Sequence, residues 1–209
     1  MSTFLQMKTR VADDIKRSDL TTQIGVSINR AIEFYEKERF FFNETNGTFS
    51  TVSGQESYGT SDSIPTTIAE IDTVTITQTS TNIFTLGKTS FESIRGLNAG
   101  GTTATGVPIY YSFYQEKFWF YPIPNGVYTI TVYFKKNYAQ LSADGDTNDF
   151  TEEAEDLIEA RARWWLYKRI IRNYEDANEA KAEEIEALGS LMSKTTMLIS
   201  TGSVQKNYL

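Results

Sequence analysis

Four oxygen-bearing side chains in one short stretch, Asp144, Asp146, Asn148 and Glu155, fall at positions 1, 3, 5 and 12 of a calcium-binding loop. Alternating oxygen ligands closed by a carboxylate suit a hard cation. The pattern fails where the chain must turn sharply, because the sixth position is Asp149 rather than Gly. Thr151 stands where an apolar anchor belongs, and the segment before the loop reads as strand rather than helix. The stretch therefore reads as a polar loop running into a capped helix, and no metal is expected.

Other chemistries are narrowed by what the sequence lacks. It contains no Cys and no His. Disulfides, thiolate metal sites and a cysteine nucleophile are thereby excluded. A Ser-His-Asp triad and a zinc site of the usual kind are excluded too. A carboxylate pair remains, such as Glu116 with Asp144 or Glu152, or else a Lys. In a chain with 27 acidic residues and a net charge of -7, a solvated acidic surface accounts for these carboxylates. Gly100-Gly101 lacks the following Lys and the strand-to-helix context of a phosphate loop. No catalytic residue and no cofactor is assigned. Stacking is the last option. Tyr110, Tyr111, Tyr114, Trp119 and Tyr121 could lie against sugars, as in a carbohydrate- or receptor-binding module. Otherwise they are sheet core and subunit packing.

The elements that must position these residues form a β-rich middle between two helical ends. Thr3 with Gln6 makes a capping box ahead of Phe4, Met7, Val11 and Ile15, which predicts a helix over 4–17. Ile24, Ile28, Ala31, Ile32 and Tyr35 predict a second over 22–38. Phe40-Phe41-Phe42 cannot share one strand face and is expected to cement the helical and β parts. Asn46-Gly47 reads as a hairpin turn, and 53–63 as a loop. Ile71–Thr77 and Ile83–Leu86 read as strands. Thr89 with Glu92 opens a short helix, and 97–106 is too rich in Gly and Thr to pack. Pro108–Tyr114, Lys117–Tyr121 and Val127–Lys135 read as an antiparallel meander. Its last strand puts Tyr128, Ile130, Val132 and Phe134 on one face.

A helix follows from near Asp149 or Thr151, with Glu152, Glu153 and Glu155 suited to its positive end. It carries two apolar stripes. One is Leu157, Ala160, Trp164, Tyr167, Ile171 and Tyr174, and the other Ile158, Ala162, Trp165 and Ile170. A helix apolar on two sides is sandwiched, here on helix 22–38 inside the subunit and on another subunit outside. Trp164, Trp165, Tyr167, Ile171 and Tyr174 are the candidates for that outer packing. A break is expected between Asn173 and Asp176, and residues 177–188 have few anchors. From Leu191 the pattern fails. Met197-Leu198-Ile199, Val204 and Tyr208-Leu209 then read as apolar anchors of an arm that orders against a partner.

The fold class expected is α+β. Residues 1–42 and 150–190 form a helical platform, 43–149 an inserted antiparallel β domain (meander or sandwich), and 191–209 an extended arm. No run approaches the ~20 apolar residues of a membrane span. The first residues show no secretory signal, and the acidic balance argues against a phosphate-gripping face.

This layout resembles the head–tail connector (adaptor) proteins of tailed bacteriophages, closest to the short-tailed type. The residues that carry the likeness are Ile24 to Tyr35 with Phe40-Phe41-Phe42, the run from Pro108 through Pro122-Ile123-Pro124-Asn125-Gly126 to Tyr133, and Glu152 to Ile171 with Trp164-Trp165. The resemblance implies a structural protein of the virion, assembled in the host cytoplasm, and not an enzyme. It implies a ring, commonly a dodecamer, that docks on the portal protein and receives a tail nozzle or tail tube protein. Genome DNA passes through it non-specifically. The C-terminal anchors Met197, Leu198, Ile199, Val204, Tyr208 and Leu209 would dock on the portal.

Overall fold

The computed structural model describes residues 2–99 and 104–199. In chain order the helices and strands are α1 (Phe4–Asp14), α2 (Thr21–Tyr35), β1 (Glu44–Ser50), β2 (Ser57–Tyr58), β3 (Ile68–Thr79), β4 (Asn82–Thr85), β5 (Gly87–Lys88) and α3 (Phe91–Asn98). There follow β6 (Thr105–Gly106), β7 (Tyr110–Tyr114), β8 (Lys117–Tyr121), β9 (Ile123–Pro124), β10 (Thr129–Lys136), α4 (Asp149–Glu153), α5 (Glu155–Leu166) and α6 (Tyr174–Ile199). The fold is α+β. Contacts divide the chain into a helical unit, Met1–Asn43 with the segment from Tyr138 onward, and a β unit, Glu44–Asn137.

In the helical unit both chain ends bury their stripes in one cluster. Phe4, Met7 and Val11 of α1, Ile24, Ile28 and Ile32 of α2, and Leu157, Ile158 and Ala162 of α5 meet there. None of these amphipathic helices could keep its apolar stripe out of water alone. Thr3 accepts the Gln6 N–H and Gln6 reaches back to the Thr3 N–H, so the predicted capping box forms. α1 ends three residues early because Lys16 takes a left-handed conformation, φ 53°. Phe40, Phe41 and Phe42 all pack within the helical unit. Phe40 and Phe42 stack at 5.3 Å, and each meets the ring of Phe150 edge-on.

The helix after Asp149 is broken twice. Ala154 interrupts it between α4 and α5. A π-helical turn over Tyr167–Ile171 then ends at Arg172, which is left-handed at φ 61°. The chain reverses there and α6 runs back along α5. Residues 177–188 are better anchored than their composition suggested. Ala177 and Ala180 are buried, as is Glu184. Two small side chains let α6 approach closely, and an internal ion pair takes in the carboxylate. The helix also continues past Leu191, where an arm was expected. Leu191 and Thr195, one turn apart, are both buried and extend the stripe.

The β unit corrects the expected meander. β7 and β8 do form a hairpin across Gln115-Glu116, both residues at positive φ. The third strand, β10, leaves them. It pairs with β1 and β3 in a sheet ordered β1-β10-β3-β4, while β2-β8-β7-β5 form a second sheet. The segment Pro122–Gly126 carries the chain from one sheet to the other, with β9 pairing β6 on the way. Both sheets bury their inner faces in one cluster. Ile130, Val132 and Phe134 come from the first, as predicted for that face, and Tyr111, Phe118 and Phe120 from the second. Tyr58 ties down the 53–63 stretch by accepting the Val52 N–H at 2.9 Å and donating to the Gln55 carbonyl at 3.0 Å. That stretch is therefore not all loop: it holds β2 and a 3-10 turn. The cap of α3 is Ser90 rather than Thr89. Of the expected loop 97–106, Leu97-Asn98 closes α3 and Thr105-Gly106 forms β6, while residues 100–103 lie outside the described residues.

Asn46-Gly47 is not a turn. Both residues lie inside β1, Gly47 opposite Val132. A Cβ at Gly47 would stand 2.5 Å from Cγ of Pro65, so the glycine serves a close approach rather than a bend. Gly47→Val should therefore cost about 1–3 kcal/mol in chemical denaturation, as overpacking does.

Candidate interaction surfaces

The calcium-like residues are spent on separate structural tasks. Asp144 takes the Lys8 ammonium at 2.6 Å. Asp146 accepts the N–H groups of Ser142 and Ala143, which hold its carboxyl below the usual range. Asn148 caps α4 by accepting the Thr151 N–H. Glu155 binds Ser2 Oγ and pairs with Arg10. Among the described residues no cluster of three or more carboxylates could hold a metal. The carboxylates considered for catalysis belong to different units. Glu116 sits in the β7–β8 turn, whereas Asp144 and Glu152 belong to the helical unit.

The aromatic strands alternate as the pleat demands. Tyr111 points into the core and is 2% exposed. On the opposite face α3 covers part of the surface. Phe91 stacks on Tyr114 with centroids 4.3 Å apart and meets Trp119 edge-on at 5.1 Å, while Arg95 lies over Trp119. Tyr110 remains 43% exposed. The five rings thus do not make one open stacking platform.

The candidates for packing between subunits divide around the α5–α6 hairpin. Arg161 and Arg163 are two residues apart, about 200° around the helix. They consequently serve opposite flanks. On the Arg161 flank the guanidinium lies 3.9 Å from the ring of Phe34 and 4.4 Å from that of Trp164. Lys168 and Lys181 stand over the same Trp164 ring, and Arg30 over Trp165. A ring face attracts cations, and these rings collect four of them. On the Arg163 flank lie Asp14, Tyr167, Asp176, Glu179 and Glu183 around a shallow groove. Arg163 pairs with Glu183 at 2.6 Å and with Asp14 at 3.4 Å. Burial raises the Tyr167 phenol above its ordinary value, and Asp176 adds to the effect. Ile171 packs on the core, whereas Tyr174 is 65% exposed.

Between the flanks lies a site that sequence reasoning missed. Glu184, 1% exposed, accepts the Tyr35 hydroxyl at 2.5 Å, Arg161 at 3.1 Å and Lys181 at 3.0 Å, all on Oε1. Its Oε2 is buried with no hydrogen-bond partner among the described residues. Burial, then the bond to Glu184, pushes the Tyr35 phenol far above its usual range. The one available signal was Lys181 three residues before Glu184, which also reads as an ordinary surface pair.

Of the expected docking anchors, Met197 and Leu198 lie on the last turn of α6, 78% and 61% exposed. Ile199 ends that helix, and Val204, Tyr208 and Leu209 lie outside the described residues. Among the described residues no helix is long and apolar enough to cross a membrane.

A family model described as SU10 adaptor protein matches residues 2–205. The match covers nearly the whole chain and upholds the resemblance to phage head–tail adaptors. No curated protein matches the chain.

Proposed function

We propose that this chain, which belongs to the SU10 adaptor protein family, forms a ring that joins the portal to the tail and continues the DNA channel. Its work is structural, and its place is the head–tail junction of the virion. The observation that carries the reading is the pair of exposed apolar residues at the described end of α6. α6 is anchored along a buried stripe, leaves Ile185 and Met192 exposed outside it, and finishes in Met197 and Leu198, open to water. Met is the adaptable side chain of binding surfaces. With Val204, Tyr208 and Leu209 beyond it, this end docks on the portal protein. Trp164, Trp165, Tyr167 and Tyr174 face the neighbouring copies, while Ile171 packs inward on the core. A net charge of -7 suits a channel along which DNA slides without adhering, since carboxylates repel phosphates.

Electron microscopy of this chain mixed with the portal protein of the same phage should show a closed ring seated on the portal, most simply of twelve copies. Hydrogen exchange over 197–209 should slow on mixing. If the portal particle is unchanged and exchange in that segment is the same with and without portal, the docking role is wrong.

A further inference from the structure

We infer that neighbouring copies meet head to tail through the two flanks of the α5–α6 hairpin, the cation–aromatic flank of one protomer receiving the acidic flank of the next. The inference rests on the ring reading and specifies which surfaces join.

The two flanks carry opposite charge on opposite sides of one rigid pair of helices. Around Phe34, Trp164 and Trp165 stand Arg30, Arg161, Lys168 and Lys181, opposed by Glu184 and by Glu38, whose charge also acts on Tyr35. Glu184 is shared among three internal donors, Arg161 and Lys181 among them, so it offsets part of those two charges and leaves Arg30 and Lys168 as the cations that face outward. Around the opposite groove stand Asp14, Asp176, Glu179 and Glu183, opposed by Arg163. A surplus of cations on one flank and of carboxylates on the other is electrostatic complementarity within a single chain.

The same distribution disfavours a two-fold dimer. An isologous contact would press each flank against its own kind, cation on cation or carboxylate on carboxylate. Joining unlike flanks is a heterologous contact, which repeats and closes into a ring when its rotation allows. The rings supply the apolar part of the interface. Phe34 is 47% exposed, and the indole of Trp164 is only half buried under its cations, so its desolvation by a second copy adds burial to charge pairing. The net charge of -7 also means that two copies approaching at random repel, which favours the one orientation that opposes unlike charge.

Two charge-reversed chains test this. Arg30→Glu with Lys168→Glu reverses exposed cations that make no salt bridge among the described residues, and Glu179→Lys with Glu183→Lys reverses the acidic flank. Sedimentation equilibrium from micromolar to millimolar chain should show wild-type mass rising with concentration. Each double variant alone should self-associate about tenfold more weakly or worse. An equimolar mixture of the two should recover association, because each reversed flank then meets its complement. So should the chain carrying all four substitutions. Misfolded variants would not rescue one another. Equal association by wild type and both variants would overturn the inference and leave the ring reading standing. A wild-type chain of single-copy mass throughout would also overturn it, while the ring reading falls only if no ring forms with the portal.

Discussion

Phe118→Ala should destabilise the β unit by about 3–5 kcal/mol, the range for truncating a fully buried Phe. Phe118 is wholly buried, and its ring contacts four others. Phe113 lies at 4.8 Å between centroids, Phe49 at 5.5 Å, Tyr111 at 6.2 Å and Phe120 at 6.3 Å. Phe49 belongs to the β1 sheet and the other three to the β7–β8 hairpin, so this one ring bridges both layers. Removing it leaves a cavity lined by rigid rings that collapse poorly, which places the cost at the upper part of the range. Chemical denaturation followed by circular dichroism checks it. A loss below about 1 kcal/mol would mean the two sheets do not share this core. Val127→Ala, on a residue 74% exposed, is the control that should change little.

The second large effect belongs to Glu184. Glu184→Ala should cost about 3 kcal/mol or more, because it strips the counter-charge from Arg161 and Lys181 and the acceptor from Tyr35 at once. The guanidinium of Arg161 is held among Phe34, Trp164 and the carboxylate, its side chain 16% exposed, so water replaces the lost partner only in part. Tyr35→Phe removes one hydrogen bond and should cost closer to 1 kcal/mol. Glu184→Gln keeps an oxygen for Tyr35 and the shape of the side chain, and should fall between them. Thermal and chemical denaturation of the three variants rank them. A Glu184→Ala chain as stable as wild type would mean that the carboxylate is solvated rather than enclosed.

Much of the helical unit was legible because it follows local rules. The Thr3–Gln6 box, the stripe from Ile24 to Tyr35 and the polar run into a capped helix at Asn148 each depend on residues within a turn or two, and each forms. Alternation along β10 gave its buried face for the same reason. The absence of Cys and His bounded the chemistry before any fold was known.

Strand pairing was another matter. Sequence periodicity says which face of a strand is apolar but not which strand lies beside it, because pairing is settled by contacts distant in the chain. Val127–Lys135 read as the partner of Lys117–Tyr121 because they are neighbours in sequence, yet β10 lies between β1 and β3. Gly47 carried a turn signal, and only Pro65, brought against it by the fold, reveals the close approach it permits. Glu184 looked like one more surface carboxylate on an Ala/Glu/Lys helix. Its burial depends on α2 and α5 converging on α6 to supply Tyr35 and Arg161, and a helix wheel shows neither. The sequence by itself determined the local elements, the excluded chemistries and the α+β class, since these rest on short-range propensity and composition. The tertiary structure alone decided the two-sheet topology, the enclosed ion pair and the opposed charges on the flanks of α5–α6, since each is made by residues that only folding brings together.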